Sequence, residues 1–128
     1  MKYLGIDYGT KRIGVAVSDD TGTIAFPLTT VLSDREALNR IAALVGENKV
    51  GGVVLGESRD YKNEPNDVME DIEQFKKDLE ELARLPVVYE PEFMTSAQAS
   101  REGNTKDLDA SAAALILQGY LNRRPKVE

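Results

Sequence analysis

The chain has no cysteine and no histidine. Without cysteine there is no disulfide, no thiolate nucleophile and no cysteine zinc site, which fits a reducing compartment. Without histidine, the Ser-His and Cys-His nucleophile pairs, the usual imidazole base and the nitrogen ligands of zinc, copper or non-haem iron all drop out. Catalysis, if there is any, is left to carboxylates, lysines, hydroxyls and backbone groups. Carboxylates alone select hard cations, Mg2+ or Mn2+ above all. No apolar run is long enough to span a bilayer, and the sequence opens into a strand pattern with no charged leader and cleavage site. A cytoplasmic address and no membrane partner are therefore expected. Positive charge is also short: 16 Lys and Arg stand against 22 Asp and Glu, a net charge of -6. Phosphate binding draws largely on Lys and Arg releasing counterions, so a nucleic-acid partner would need a local basic face or bound cations.

What is there suits one soluble globular domain over residues 1–128, with 41% hydrophobic and 30% charged residues. Residues 3–17 read as two short apolar strands folded into a hairpin. Leu4 and Ile6 share one face, as do Ile13, Val15 and Val17, and Asp7 closes the first arm. A carboxylate ending an apolar strand is either a turn former or a ligand for a cation. Gly22 to Val31 reads as a third strand, placed at a sheet edge by Pro27, which cannot donate to a ladder. Ser33-Asp34-Arg35-Glu36 has the pattern of a capping box, and Leu38, Ile41, Ala42 and Val45 then recur at helical spacing to about Asn48.

Val50 to Gly56 is a short apolar run that predicts a strand buried on both faces. Glu57 to Asn66 reads as a loop. Pro65 suits the first turn of a second helix, with Met69, Ile72, Phe75, Leu79 and Leu82 on its apolar stripe. Pro86 to Glu90 is a further strand ended by Pro91, and Glu92 to Ala99 a short helix. After a polar connection from Arg101 to Lys106, Asp107 or Asp109 caps an alanine-rich final helix, followed by the basic tail Arg123, Arg124 and Lys126. The order is three meandering strands, helix, strand, helix, strand, helix. This predicts an α/β fold in which a mixed sheet of five strands, three antiparallel then two parallel, is flanked by helices.

Ligands of such sheets collect beyond the carboxyl ends of the parallel strands. Asp7, Gly56-Glu57 and Glu90-Pro91-Glu92 all fall on that rim, and Asp109 reaches Asp7 if the last helix crosses the same sheet. Crowded carboxylates repel unless a divalent cation neutralises them or one stays protonated. Taken singly, Glu57 and Glu90 read as surface acids, and Asp107 and Asp109 compete for the helix cap.

Gly5-Ile6-Asp7-Tyr8-Gly9-Thr10-Lys11-Arg12-Ile13-Gly14-Val15-Ala16, the strand ending Leu55-Gly56, the Glu92 to Ala99 segment and Asp109-Ala110-Ser111-Ala112-Ala113-Ala114-Leu115-Ile116-Leu117-Gln118 together resemble the YqgF-like family of RNase H-fold proteins. That family is described as Holliday-junction resolvases and pre-16S rRNA nucleases. The resemblance implies that Asp7, Glu92 and Asp109 are its three metal-binding and catalytic carboxylates. It also implies phosphodiester hydrolysis with two Mg2+ or Mn2+ ions, on structured RNA or DNA such as pre-rRNA or a four-way junction, by a monomer or homodimer. Lys11, Arg12, Arg59, Arg101 and Lys106 would hold backbone phosphates. The sequence departs from the family pattern around Glu92, where Pro91 and Phe93 replace an acidic and a basic neighbour. A nucleic-acid-binding module of the same fold without strong catalysis is one alternative. An actin-like nucleotide-binding domain, which shares the Asp-x-Gly-Thr opening, is another.

Overall fold

The structure, a computed structural model, describes residues 1–58, 68–92 and 105–123, and for residues 57, 58, 68, 69, 92 and 105–108 the backbone alone. Its elements are β1 (Tyr3–Asp7), β2 (Arg12–Ser18), β3 (Ala25–Leu32), α1 (Ala37–Asn48), β4 (Gly52–Ser58), α2 (Val68–Ala83), β5 (Val87–Glu92) and α3 (Thr105–Arg123). The strands lie in the order β3-β2-β1-β4-β5. The pairs β1–β2 and β2–β3 are antiparallel, β1–β4 and β4–β5 parallel. This is the mixed sheet that the hydrophobic periods predict.

Alternation divides the core in two. Leu4, Ile6, Ile13, Val15, Val53 and Leu55 face α1 and α2, where Ile41, Val45, Ile72, Phe75 and Leu79 close over them. Ala16 and Val54 face the other way and are covered by Ala113, Ile116, Leu117 and Leu121 of α3. Two glycines set how close α3 comes. A Cβ on Gly5 would lie 2.7 Å from Leu117 Cβ, and one on Gly14 would overlap the carbonyl oxygen of Asp109. The alanine face of the helix is thus met by bare backbone in the sheet. Gln118 pins the same helix sideways, accepting from the Ala25 N–H at 2.9 Å and donating to the Thr23 carbonyl at 2.9 Å.

Several boundaries differ from the sequence reading for local reasons. β3 begins at Ala25 rather than Gly22, because Asp19 accepts the N–H groups of Thr23 at 2.7 Å and Ile24 at 3.1 Å. Those two bonds, with the Thr21 hydroxyl, hold the Asp19 carboxyl below its ordinary range. The capping box does not form. Asp34 accepts the Glu36 N–H at 2.9 Å, and α1 starts at Ala37 with no side-chain cap. On α2, Leu82 is 49% exposed and lies off the buried stripe. β5 runs through Pro91 to Glu92, which a proline permits on an edge strand. α3 begins at Thr105, so Asp107 lies within its first turn and Asp109 beyond it; Asp109 is not a cap. Pro65 and the expected helix after Glu92 lie outside the described residues.

Where β5 starts, Glu80 of α2 accepts the Val87 N–H at 3.2 Å and pairs with Lys76. The Val87 bond first, and Lys76 after it, lower the Glu80 pKa. A carboxyl lowered on folding stabilises above its unfolded value and loses that contribution as pH falls through the folded one. Acid unfolding followed by circular dichroism should therefore show a shallower loss of stability in Glu80→Gln than in the wild type, with the difference confined to the acid side of the ordinary glutamate range. An unchanged acid limb would remove Glu80 from the account. For Gly14→Ala, a Cβ that meets backbone rather than a flexible side chain should cost about 1–3 kcal/mol. That corresponds to a fall of roughly 4–12 °C in Tm, checked by calorimetry.

Candidate active site

Asp7 is the last residue of β1 and pairs with Gly14 of β2. Cross-strand partners project to the same face of a sheet. The Cβ direction of Gly14 leads to the Asp109 backbone, and that of Gly5, two residues before Asp7, leads to Leu117. Asp7 therefore lies on the α3 side, beside the point where α3 crosses β2 and delivers Asp109. Asp7 and Asp109, 102 positions apart in the sequence, both adjoin the bare Gly14, the one as its cross-strand partner and the other through its backbone.

Arg12 opens β2 two residues before Gly14, on the same face. Its Nε–H donates to Asp109 Oδ2 at 2.7 Å, and the two side chains are 39% and 26% exposed. Asp109 thus already faces one cation, the chain's own guanidinium. Glu92 ends β5 at the position paired with Ser58 of β4, at the same carboxyl end of the sheet as Asp7. By the two-residue period of a strand, position 92 shares a face with Glu90. Glu90 faces α3: it forms an ion pair with Arg123, and its Oε2 would lie 3.3 Å from a Cβ on Gly119.

Glu90 is a correction to the sequence reading. It is 6% exposed, not a surface acid, and its partner Arg123 is correspondingly committed. Residues 33 apart, on an edge strand and on the last turn of a helix, carry no sequence signal of this pairing. Of the residues expected to hold phosphates, Lys11 is exposed in the connection between β1 and β2. Arg12 is bonded to Asp109. Lys106 stands in the first turn of α3, and Arg59 and Arg101 lie outside the described residues. Among the described residues no group of three or more His, Cys, Asp or Glu is arranged to hold a metal ion.

Asp7 and Asp109 supply oxygen donors only, half-buried and at the rim of a sheet rather than inside a core. That donor set suits a hard divalent cation and does not suit zinc or copper. Among the described residues no helix is long and apolar enough to cross a membrane.

Sheet order, helix α3 across one face and acidic residues at the carboxyl rim define the class: an RNase H-like α/β protein. The chain belongs to the RuvX family, described as Holliday junction resolvase, which matches residues 1–123. It is thereby a member of a family of nucleases, hydrolases acting on nucleic acid. Curated relatives include a protein of Limosilactobacillus fermentum, 36% identical over 99% of this chain and 97% of its own length, and one of Bacillus cereus strain B4264, 34% identical over 97% and 100%. Each is named "Putative pre-16S rRNA nuclease". Among solved structures, Thermus thermophilus RuvC in complex with a Holliday junction substrate superposes with a TM-score of 0.61 at 15% identity, covering 94% of both chains. The fowlpox virus Holliday junction resolvase does so with a TM-score of 0.56 at 19% identity, covering 95% of this chain and 99% of its own. At these identities the two share the fold.

The Arg12–Asp109 pair generates a test that needs no substrate. Removing a cation that sits on a candidate ligand should favour another cation there. Arg12→Gln should bind Mn2+ several-fold more tightly by titration calorimetry, while the loss of a partly exposed pair costs about 0–1 kcal/mol of stability. Equal or weaker Mn2+ binding would mean that Arg12 does not compete for Asp109.

Proposed function

We propose that residues 1–128 act as one metal-dependent endonuclease domain that hydrolyses phosphodiesters of structured nucleic acid. The setting would be cytoplasmic: maturation of the 5' end of pre-16S rRNA, or resolution of four-way DNA junctions. The observation that supports the reading is that Asp7 and Asp109 both adjoin Gly14 on the α3 face of the sheet, Asp7 as its cross-strand partner and Asp109 through its backbone. The curated relatives' name favours the RNA substrate and the family description the DNA junction. Symmetric cutting of a junction would need two copies related by a two-fold axis, whereas trimming one RNA end needs a single copy.

Asp7, Asp109 and Glu92 would hold Mg2+ or Mn2+. Bound there, the ions would supply an activated water for in-line attack and charge stabilisation at the leaving 3'-oxygen. The chain's own contribution is placement. Asp7 is fixed by a central strand and Asp109 by a helix that cannot shift without opening the contact at Gly14. Lys11, and Arg12 once released from Asp109, would hold backbone phosphates, contacts that position a strand without reading its sequence. A module that binds without cutting, and an ATP-dependent domain, make different forecasts.

Cleavage of a structured pre-rRNA fragment and of a four-way DNA junction should occur in wild type with Mn2+ and stop in chelator. Asp7→Asn should lower turnover by at least about 100-fold, because the amide keeps the shape and loses the charge. Binding by Asp7→Asn should persist and weaken steeply with salt. Cutting that survives the mutation or the chelator would indicate a contaminating nuclease. Binding without cutting by wild type would establish the module instead.

A further inference from the structure

Beside the carboxylates, on the α3 side of the sheet, a groove of about 710 Å³ runs between β3 and the start of α3, lined by Arg12, Pro27, Leu28, Thr30, Leu32 and Ala110 among others. Leu28 is 37% and Leu32 63% exposed. The register of β3 breaks here. Val15 pairs with Thr29 and Ala16 with Pro27, so Leu28 has no partner in β2. A bulge of this kind re-aims a side chain, and bulges recur next to active sites. Among the described residues β3 is an edge strand of the sheet. The groove shares its wall with the candidate site: Ala110 follows Asp109, and Arg12, which lines the groove, is bonded to Asp109.

A ligand matched to this setting has flat apolar faces, a polar edge and a negative charge one bond system away. An unpaired nucleobase on a strand whose phosphate lies at Asp7 and Asp109 meets all three conditions. The leucines, Pro27 and Ala110 offer the apolar walls, Thr30 a polar edge, and Arg12 the charge complement to the phosphate. Among the described residues that line the groove none is acidic. Stacked bases of a duplex present no face to such a groove; only a splayed or single-stranded base can enter.

We propose that this groove seats one unpaired base of the bound strand, next to the phosphate held at the carboxylates. The proposal rests on the nuclease reading and narrows it, since the preferred substrate then carries a looped-out or single-stranded nucleotide beside the cut. The test is an abasic scan. A labelled single-stranded RNA of roughly twelve nucleotides, within the span of small single-strand-binding domains, has each base removed in turn. Each version is bound to Asp7→Asn by fluorescence anisotropy, so that binding is read without cutting.

One position should show a loss of about tenfold when its base is removed, the scale of one stacked base. In the variant that also carries Leu28→Asn and Leu32→Asn, intact RNA should bind about tenfold more weakly, the abasic loss at that position should vanish, and the salt slope should not change, because no charge has been altered. Both leucines are exposed on an edge strand, and circular dichroism checks that the variant folds. If it does not, Leu28→Ala alone is read in the same scan. A uniform small loss at every position, or a position-specific loss that persists in the leucine variant, overturns the groove as a base seat and leaves the nuclease reading standing. Absence of binding to this RNA and to a four-way DNA junction, by both wild type and Asp7→Asn, overturns both.

Discussion

Helix α3 rests on a part of the sheet from which side chains have been removed. Gly5 on β1 and Gly14 on β2 face it, and at Gly14 the helix backbone itself occupies the space of the missing Cβ. Protein interiors are packed near crystal density, so a contact of this kind has little room to relax. Three consequences follow from that constraint. Ala110 and Ala113, buried on the inner face of α3 with Leu117, are small enough to leave that approach open. Ala16 and Val54 are enclosed from above. And the residue whose carbonyl meets Gly14 is Asp109, so the interaction that docks the helix also places an acid beside Asp7.

Charge works against a nucleic-acid partner at long range and for it only locally. Among the described residues, Arg12, Arg40, Lys76 and Arg123 are each engaged by a carboxylate of the chain itself. A net charge of -6 then leaves little general attraction for a polyanion. On the proposed reading, affinity would come from a few local phosphate contacts such as Lys11, from cations held at the carboxylate rim and from contacts that are not ionic. An apolar groove at that rim is therefore consistent with the electrostatics: it adds affinity without needing further Lys or Arg.

Strand periodicity made most of the fold legible. Leu4, Ile6, Ile13 and Val15 alternate with residues that face α3, and Pro27 marked β3 as an edge, as observed. Element ends were less legible because they were decided by single side chains acting on backbone N–H groups. Asp19 delays β3, and Asp34 takes the Glu36 N–H in place of a capping box. In the site, Asp7 was visible as a charge closing an apolar strand. Asp109 was legible only on the condition that the last helix crosses the sheet, and was singled out from Asp107 by its likeness to a family motif, because its position depends on Gly14, 95 residues away. The engagement of Arg12 by Asp109 and of Arg123 by Glu90 was not legible at all. Such pairs are set by how α3 crosses the strands, and no local pattern records a crossing.

The two arginine–carboxylate pairs on the α3 side have similar chemistry and opposite prospects. The Glu90 side chain is only 9% exposed, although Arg123 is 63% exposed. Taking Arg123 away would strand a nearly buried carboxylate beside Gly119. Stranding one member of a fully buried pair costs about 3–5 kcal/mol, and the exposure of Arg123 brings this case below that range. The pair is therefore structural and ties the last turn of α3 to β5. Asp109 and Arg12 are 26% and 39% exposed, so water and dissolved ions reach both partners. A pair in that position is worth about 0–1 kcal/mol, and little opposes its exchange for another cation. Burial alone thus sorts two like interactions into one that fastens the helix and one that can open. The one that can open lies at the carboxylate rim, beside Asp7 and the groove, where substrate and metal would arrive.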